Sequence, residues 1–272
     1  MNDIKPRLHR MARRLILAVL GAALAVSCAG TRTAPPRTAE EKFREAMTRY
    51  GKRNYEEARR VFESVIFENP GSIVADSAQY LIGVCYFRLK EFELAAGEFQ
   101  RFSSQYPTST LVEDAELMRA RCYFYGAPNN TGLDQHYTET CLNLAQTFKD
   151  DHPASGLLAA ADSLLSICWE RLSRRDFNAG RLYYRMGSFQ AAQVYLQLVL
   201  DRFPNSPLVP QTLFLIGESY RRREVYDTAM VWYEKLVYLY PEAPVTGKAR
   251  KHIGKIRPLL PVPPPATQSE TQ

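Results

Sequence analysis

The chain has 272 residues, of which 46% are hydrophobic, and a formal net charge of +6. This length suits one solenoid or one to two globular domains. Residues 1–27 hold five basic residues and one acid, so they account for +4 of the +6 and leave +2 for the rest. A net charge of +2 gives no reason to predict a nucleic-acid partner, and we exclude that class.

The N-terminus has the order of a secretory signal peptide. Residues 1–14 are basic, and residues 15–26 form an apolar run shorter than the roughly 20 residues that a membrane-spanning helix needs. The following cysteine ends the tetrapeptide AVSC, which resembles the lipid-attachment site of bacterial lipoproteins, although leucine is usual where Ala25 stands. We predict that residues 1–27 are removed and Cys28 is lipidated. The alternative is ordinary cleavage that leaves Cys28 as a spare thiol. Met11 is an alternative start site.

Two segments are predicted to lie outside the folded part. Residues 28–38 are small, polar and proline-bearing, and we predict a disordered tether between the lipid and the fold. Residues 257–272 are rich in proline and lack apolar periodicity, so we predict a disordered tail. Because a single acyl chain anchors a protein only marginally, a stable membrane anchor needs two or more chains on Cys28.

The stretch from Asp76 to Pro107 has the pattern of a tetratricopeptide (TPR) repeat. Counted from Asp76, it has small residues at positions 8 and 20 (Gly83 and Ala95), an aromatic residue at 24 (Phe99) and a proline at 32. Small residues let two antiparallel helices approach, aromatic side chains fill the crossing, and proline ends the second helix. One such hairpin cannot bury its apolar face alone, so more repeats are expected.

The closing prolines divide the chain into five repeats. Pro70, Pro107, Pro153, Pro204 and Pro241 lie 37, 46, 51 and 37 residues apart. Two regular repeats, an irregular middle and a regular final repeat are therefore predicted. In repeat 3 we place a nine-residue insertion near residues 126–132, which have loop composition. Apolar residues at helical spacing from Ala154 to Arg185 predict one helix of some 30 residues. The predicted fold is an all-α TPR solenoid.

These features together resemble the BamD family. The lipoprotein signal, the five repeats, the inserted loop and the long helix all match, as do residues 133–137 and 178–184, and the resemblance covers roughly residues 39–256. It implies a lipid-anchored protein on the periplasmic face of the outer membrane. It also implies two partners: the POTRA domains of BamA and unfolded outer-membrane β-barrel proteins. Repeats 1–3 (39–153) would face the substrate, and repeats 4–5 (154–256) would dock the partner.

The first helices of repeats 1–3 predict an apolar concave groove. In TPR proteins, positions 2, 5, 9, 12 and 13 usually face the concave side. Here they supply Phe43, Met47, Tyr50, Tyr80, Val84, Phe87, Arg88, Leu117, Arg121 and Phe124. Substrates of the family carry a C-terminal aromatic signal with a free carboxylate. We predict that the aromatic residues hold such a peptide while Arg88 or Arg121 binds its carboxylate. The alternative is an inter-repeat core sealed by the chain's own N-terminal arm.

The corresponding positions of repeats 4 and 5 are more basic. They include Arg174, Arg181, Arg185, Arg221 and Arg222. We predict a docking face for an acidic partner surface, and the alternative is an ordinary solvated charged face.

Other functions are less consistent with this sequence. It contains no GxSxG, HExxH or Walker motif, so we predict no enzyme and no cofactor. There is no CxxC motif and the histidines are scattered, so no metal site is predicted. Four further cysteines (Cys85, Cys122, Cys141, Cys168) are predicted to be buried thiols, with disulfides as the alternative. The competing functions are a periplasmic TPR adaptor for envelope or peptidoglycan machinery and a lipoprotein scaffold for envelope proteases.

Overall fold

The computed structural model describes residues 37–260, which form eleven α-helices, a short 3-10 helix and no β-strand. The signal peptide, Cys28, most of the predicted tether and residues 261–272 lie outside the described residues. The helices are α1 (Ala39–Gly51), α2 (Tyr55–Glu68), α3 (Ala75–Arg88), α4 (Phe92–Gln105), α5 (Val112–Gly126), α6 (His136–Asp151), α7 (Leu158–Arg185), α8 (Phe189–Arg202), α9 (Val209–Arg222), α10 (Tyr226–Leu239) and α11 (Thr246–Ile256). Consecutive helices pack on each other as five hairpins, with α11 against α10. The predicted all-α TPR fold is confirmed.

Position 8 of each regular repeat packs directly on position 24. A Cβ added to Gly83 would lie 2.9 Å from the Phe99 ring, and one added to Gly217 would lie 2.8 Å from the Tyr233 ring. In repeat 1, Ala46 and Phe62 hold the same positions and both are fully buried. The small residue therefore sets how closely the two helices approach, because no atom can be added there without moving the partner.

The regular hairpins share one kind of turn. Each of the helices α1, α3, α7 and α9 is joined to the next helix by a turn of three residues. The middle residue of each turn has a left-handed backbone. These residues are Arg53 (φ 60°), Lys90 (φ 65°), Gly187 (φ 78°) and Glu224 (φ 60°). A left-handed residue after a helix lets the next amides bond back to its last carbonyls. The amide of Asn54, for example, donates to the carbonyl of Arg49 over 3.0 Å.

A serine two residues after the closing proline ties neighbouring repeats together. Ser109 donates from its hydroxyl to Asp76 at 2.9 Å, and Ser206 bonds Ser173 at 3.1 Å. The same oxygen atoms accept the amides of Leu111 and Leu208, at the starts of α5 and α9. Each serine thus both starts a first helix and links it to the preceding first helix.

The irregular third repeat is organised around a buried glutamine. The loop between α5 and α6 spans residues 127–135, where the regular hairpins have a three-residue turn, so the predicted insertion in this loop is confirmed, although part of the extra length lies in the helices α5 and α6. The Gln135 side-chain amide donates to the carbonyls of Pro128, Asn130 and Leu133, and its oxygen accepts from Thr138 at 2.8 Å. Because Gln135 is fully buried, these bonds hold the loop as one compact turn.

The second half begins with the long helix. Helix α7 has 28 residues, so the predicted fusion of a connecting helix with the first helix of repeat 4 is confirmed. At the other end the predicted tail is wrong in its first residues. Arg257–Leu259 form the 3-10 helix, and Leu260 packs on the cluster around α10 and α11, because this cluster offers Leu260 an apolar surface. No helix between residues 37 and 260 has both the length and the apolar character to cross a membrane.

Candidate functional site

A cleft of about 540 Å³ opens between the first helices of repeats 2 and 3 and the start of α7. Its lining is aromatic and aliphatic with two arginines. The lining residues are Tyr80, Val84, Phe87 and Arg88 of α3, Met118, Arg121, Phe124 and Tyr125 of α5, and Ala160, Ser163, Leu164 and Ile167 of α7. A concave, largely apolar site with a few polar groups is the usual form of a ligand site.

The aromatic side chains of the cleft are held by ring contacts from behind. Tyr80 lies 5.6 Å from Phe99, measured between ring centroids, and Phe87 lies 5.4 Å from both Phe92 and Tyr125. These edge and tilted contacts fix the rings before any ligand arrives. Burial, together with the charge of nearby Asp114, raises the pKa of Tyr80 to about 12, so its hydroxyl stays protonated. Tyr80 therefore offers a neutral hydrogen-bond donor at the cleft.

The two cleft arginines are available for an anion. Arg88 is exposed, and Arg121 is half-buried with a 3.7 Å contact to the sulfur of Met118. Among residues 37–260, no carboxylate forms an ion pair with either guanidinium. Two unpaired cations beside an aromatic surface suit a ligand that carries both an aromatic side chain and a negative charge.

Helix α7 supplies the wall that sequence reasoning missed. Ala160, Leu164 and Ile167 follow each other at spacings of four and three, so they form one stripe, and Ile167 is 43% exposed. A second stripe on the same helix, Ala161, Leu165 and Cys168, is buried against α6. Two adjacent apolar stripes on one helix were the signal that α7 faces a second apolar surface. Arg171 secures the wall, with its guanidinium 4.2 Å from the centroid of the Phe124 ring.

Six of the ten predicted groove residues line this cleft, and four do not. Those in the cleft are Tyr80, Val84, Phe87, Arg88, Arg121 and Phe124. The prediction for Leu117 is wrong: its side chain is 2% exposed, because it packs in the core against apolar residues of α6 and α7. The peptide-binding role of the cleft stays a prediction.

The three groove residues predicted in α1 do not reach the cleft. Phe43 lies 5.4 Å from the buried Phe62, and Tyr50 lies 5.3 Å from Tyr55, so both rings pack on the core of repeat 1. Met47 is 40% exposed on α1. The three residues occupy the predicted positions of the repeat. The rings of Phe43 and Tyr50, however, contact rings of α2, the second helix of the same hairpin.

The predicted docking face divides into free and engaged arginines. Arg181 and Arg185 are exposed near the end of α7, and Arg174 is exposed beside Glu170, with which it pairs. Arg221 instead donates two hydrogen bonds to Glu218, at 2.8 and 2.9 Å. Arg222 is exposed at the end of α9. Because Arg222 interacts with the Tyr184 hydroxyl, the predicted docking residues that remain free, Arg181 and Arg185, lie at the end of α7.

Glu218 is the centre of a buried polar network that sequence reasoning missed. Besides Arg221, its carboxylate accepts from the hydroxyls of Tyr233 and Tyr184, and His252 lies 3.3 Å away. Burial opposes ionisation of Glu218, but the hydrogen bonds from Arg221 and Tyr233 outweigh it and lower the pKa from 4.5 to about 2. One carboxylate therefore joins α7, α9, α10 and α11.

Within the described residues, no three histidine, cysteine, aspartate or glutamate side chains group as metal ligands. The solenoid, with its aromatic cleft and basic face, is that of a helical-repeat protein. Residues 35–236 match the family model YfiO, described as outer membrane lipoprotein, and the chain belongs to this family.

Three relatives carry the name outer membrane protein assembly factor BamD. The protein from Caulobacter vibrioides is 26% identical over 210 residues, covering 75% of this chain and 68% of the relative. The protein from Rickettsia prowazekii is 20% identical, covering 74% and 80%, respectively. The protein from Buchnera aphidicola is 22% identical, covering 69% and 83%. The resemblance predicted from the sequence is confirmed at the level of the family.

Proposed function

We propose that this chain is an outer-membrane assembly factor that holds unfolded β-barrel proteins through the cleft and docks on BamA through its C-terminal half. The observation that carries the proposal is the convergence of Phe87 and Phe124 with two unpaired arginines in one concave site. The family membership and the BamD relatives support the proposed location at the outer membrane. In this proposal a lipid on Cys28 anchors the chain to that membrane. Its role is binding and scaffolding, not catalysis.

The chemistry of the cleft favours a chain end. An aromatic side chain buries about 150–250 Å² and gains up to a few kcal/mol at roughly 25 cal/mol per Å². A terminal carboxylate can take two parallel hydrogen bonds from one guanidinium. Aspartate and glutamate offer a carboxylate within an internal segment, but a C-terminal aromatic residue carries the ring and the carboxylate on one residue, which matches the close placement of rings and arginines in the cleft.

Binding of a short barrel-signal peptide tests the cleft. We expect the peptide, with a C-terminal phenylalanine and a free carboxylate, to bind the Phe87→Ala, Arg121→Ala double variant about 100-fold more weakly than the wild type, because an anchor and a charged hydrogen bond are both lost. Fluorescence anisotropy measures the affinity. The same peptide with an amidated C-terminus should bind the wild type about 10-fold more weakly.

Phe67→Ala is the matched control for this experiment. Phe67 is 89% exposed on α2 and is not part of the cleft, so its loss should leave the affinity unchanged. Equal affinity of the double variant and the wild type would overturn the proposal for this site.

Docking through the basic face is tested separately. We expect Arg181→Glu with Arg185→Glu to weaken binding to the BamA POTRA domains by about 10-fold at low salt, because reversed charge opposes an acidic partner. The wild-type affinity should fall as salt rises, and the variant should lose most of this dependence. Surface plasmon resonance between 50 and 300 mM NaCl measures both. Lys52→Glu, an exposed change in the turn after α1, is the control. An unchanged affinity for the charge-reversed variant would rule out this face.

A further inference from the structure

Two cysteine side chains meet where the second helix of repeat 3 packs on the long helix α7. Cys141 of α6 and Cys168 of α7 have their Sγ atoms 3.4 Å apart, and both side chains are fully buried. They belong to the buried cluster formed by α5, α6 and α7, which also contains Ala145 and Leu165. The other two described cysteines belong to different clusters: Cys85 packs with α1 and α2, and Cys122 packs with α4. The contact therefore singles out one pair from four buried thiols.

We propose that Cys141 and Cys168 form a disulfide that cross-links α6 to α7 when the chain folds in an oxidising compartment. A disulfide bond is about 2.05 Å long, so the sulfurs need to approach by roughly 1.3 Å. Both residues stand on rigid helices that already pack together, so small side-chain rotations make this approach without separating the helices. The proposal rests on export of the chain and not on peptide binding.

The oxidation needs a disulfide-bearing oxidant. One cysteine thiolate attacks a sulfur of the oxidant, which forms a mixed disulfide and releases one thiolate of the oxidant. The second cysteine thiolate then attacks the protein sulfur of the mixed disulfide and releases the other half. The protein loses two electrons, the oxidant gains them, and the two thiol protons end on the two released thiols. Glutathione disulfide serves as this oxidant in a test tube, and a protein disulfide does so in a cell envelope.

The burial of both sulfurs fixes the order of events. Once α5, α6 and α7 have packed, neither sulfur is open to a reagent, so the bond forms while these three helices assemble. For the same reason the finished bond should resist reductant until the chain unfolds. The cross-link closes the loop from residue 141 to residue 168, which joins repeat 3 to the long helix α7, and loop closure restricts the unfolded chain.

Peptide mapping after refolding tests the proposal directly. The mature chain is refolded with reduced and oxidised glutathione, blocked with N-ethylmaleimide under denaturing conditions, and digested without reduction. Trypsin leaves Cys122 and Cys141 on one peptide, residues 122–149, so chymotrypsin is added to cut after the aromatic residues 123–125. We expect a peptide with Cys141 joined to a peptide with Cys168, lighter by two hydrogens than the two free peptides, and alkylated Cys85 and Cys122.

Thermal unfolding supplies the second readout. We expect the oxidised wild type to melt roughly 5–10 °C higher than the same protein refolded in dithiothreitol. The Cys141→Ala, Cys168→Ala double variant should show no such difference, whereas Cys122→Ala should keep it. Alkylation of both Cys141 and Cys168 after refolding, or pairing of either with another cysteine, would overturn the proposal even if the double variant fails to fold. Neither readout depends on peptide or BamA binding, so the outcome is separate from that of the proposed function.

Discussion

Replacing Gly180 by valine is expected to destabilise the chain by about 3 kcal/mol, a large share of the roughly 5–15 kcal/mol of an ordinary domain. A Cβ at this position would lie 2.6 Å from Cγ of Leu196, 2.8 Å from its Cδ2 and 3.2 Å from its backbone nitrogen. The side chain of Leu196 is fully buried and its backbone belongs to α8, so neither can withdraw. The helices α7 and α8 have to separate, and the packing between them is lost. Urea unfolding followed by circular dichroism gives the free energy of unfolding.

Gly97→Ala is the matched control, and its expected effect has the opposite sign. Gly97 lies inside α4, where an added Cβ meets no atom within 4 Å. Alanine favours the helix over glycine by roughly 0.5–1 kcal/mol, so this variant should be slightly more stable than the wild type. If Gly180→Val unfolds at the same urea concentration as the wild type, the close approach of α7 and α8 does not limit the residue at 180.

Loss of the Glu218 carboxylate is the second large effect. Glu218→Gln keeps the shape but removes the charge and replaces one acceptor oxygen by an NH2 donor. Arg221 then loses its charged partner, and one side of the group places a donor against the donors that surround it. We expect a loss of about 2–3 kcal/mol of unfolding free energy at pH 7. The same urea measurement tests this value.

The pH dependence of the same variant gives a sharper test. The pKa of Glu218 is about 2 in the folded chain, below its ordinary value of 4.5. A carboxylate with a lowered folded pKa stabilises the fold at pH values above 4.5, and this contribution is lost as the pH falls from 4.5 towards 2. The stability difference between wild type and Glu218→Gln should therefore shrink over this range and be nearly absent at pH 2.

Glu242→Gln is the control for the acid range. Glu242 is exposed after Pro241, so its replacement should change stability little at any pH. A wild-type advantage over Glu218→Gln that stays constant from pH 7 to pH 2 would contradict the role assigned to this carboxylate.

The repeats could be predicted because each is a local pattern. Gly83, Phe99 and Pro107 serve one hairpin, and their spacing follows from the geometry of two antiparallel helices. The insertion and the long helix were also predictable, because the distance between closing prolines measures them. The C-terminal boundary of the fold was harder to predict. Leu260 packs on the last helices, although the sequence around it is rich in proline.

The cleft was only half predictable, because it depends on contacts between repeats. Repeat register identifies which residues of α3 and α5 face the concave side, and this placed Phe87 and Arg121 correctly. Register cannot show that Ile167 of α7 lines the cleft. That depends on how α7 packs against α5 after the irregular third repeat. Register also predicted that Leu117 lies in the groove, whereas α6 and α7 bury its side chain. The Glu218 network joins four helices, so no single segment contains its signature.

Helix α7 has a mechanical consequence. It is about 42 Å long at 1.5 Å per residue, and it bears the cleft wall near one end and Arg181 and Arg185 near the other. In a regular solenoid the two would sit on separate hairpins with a compliant joint between them. Here both lie on one continuous helix. A tilt of about 5° around its midpoint would move both ends by about 2 Å in opposite directions, so a change of angle at the cleft displaces the arginines by the same amount.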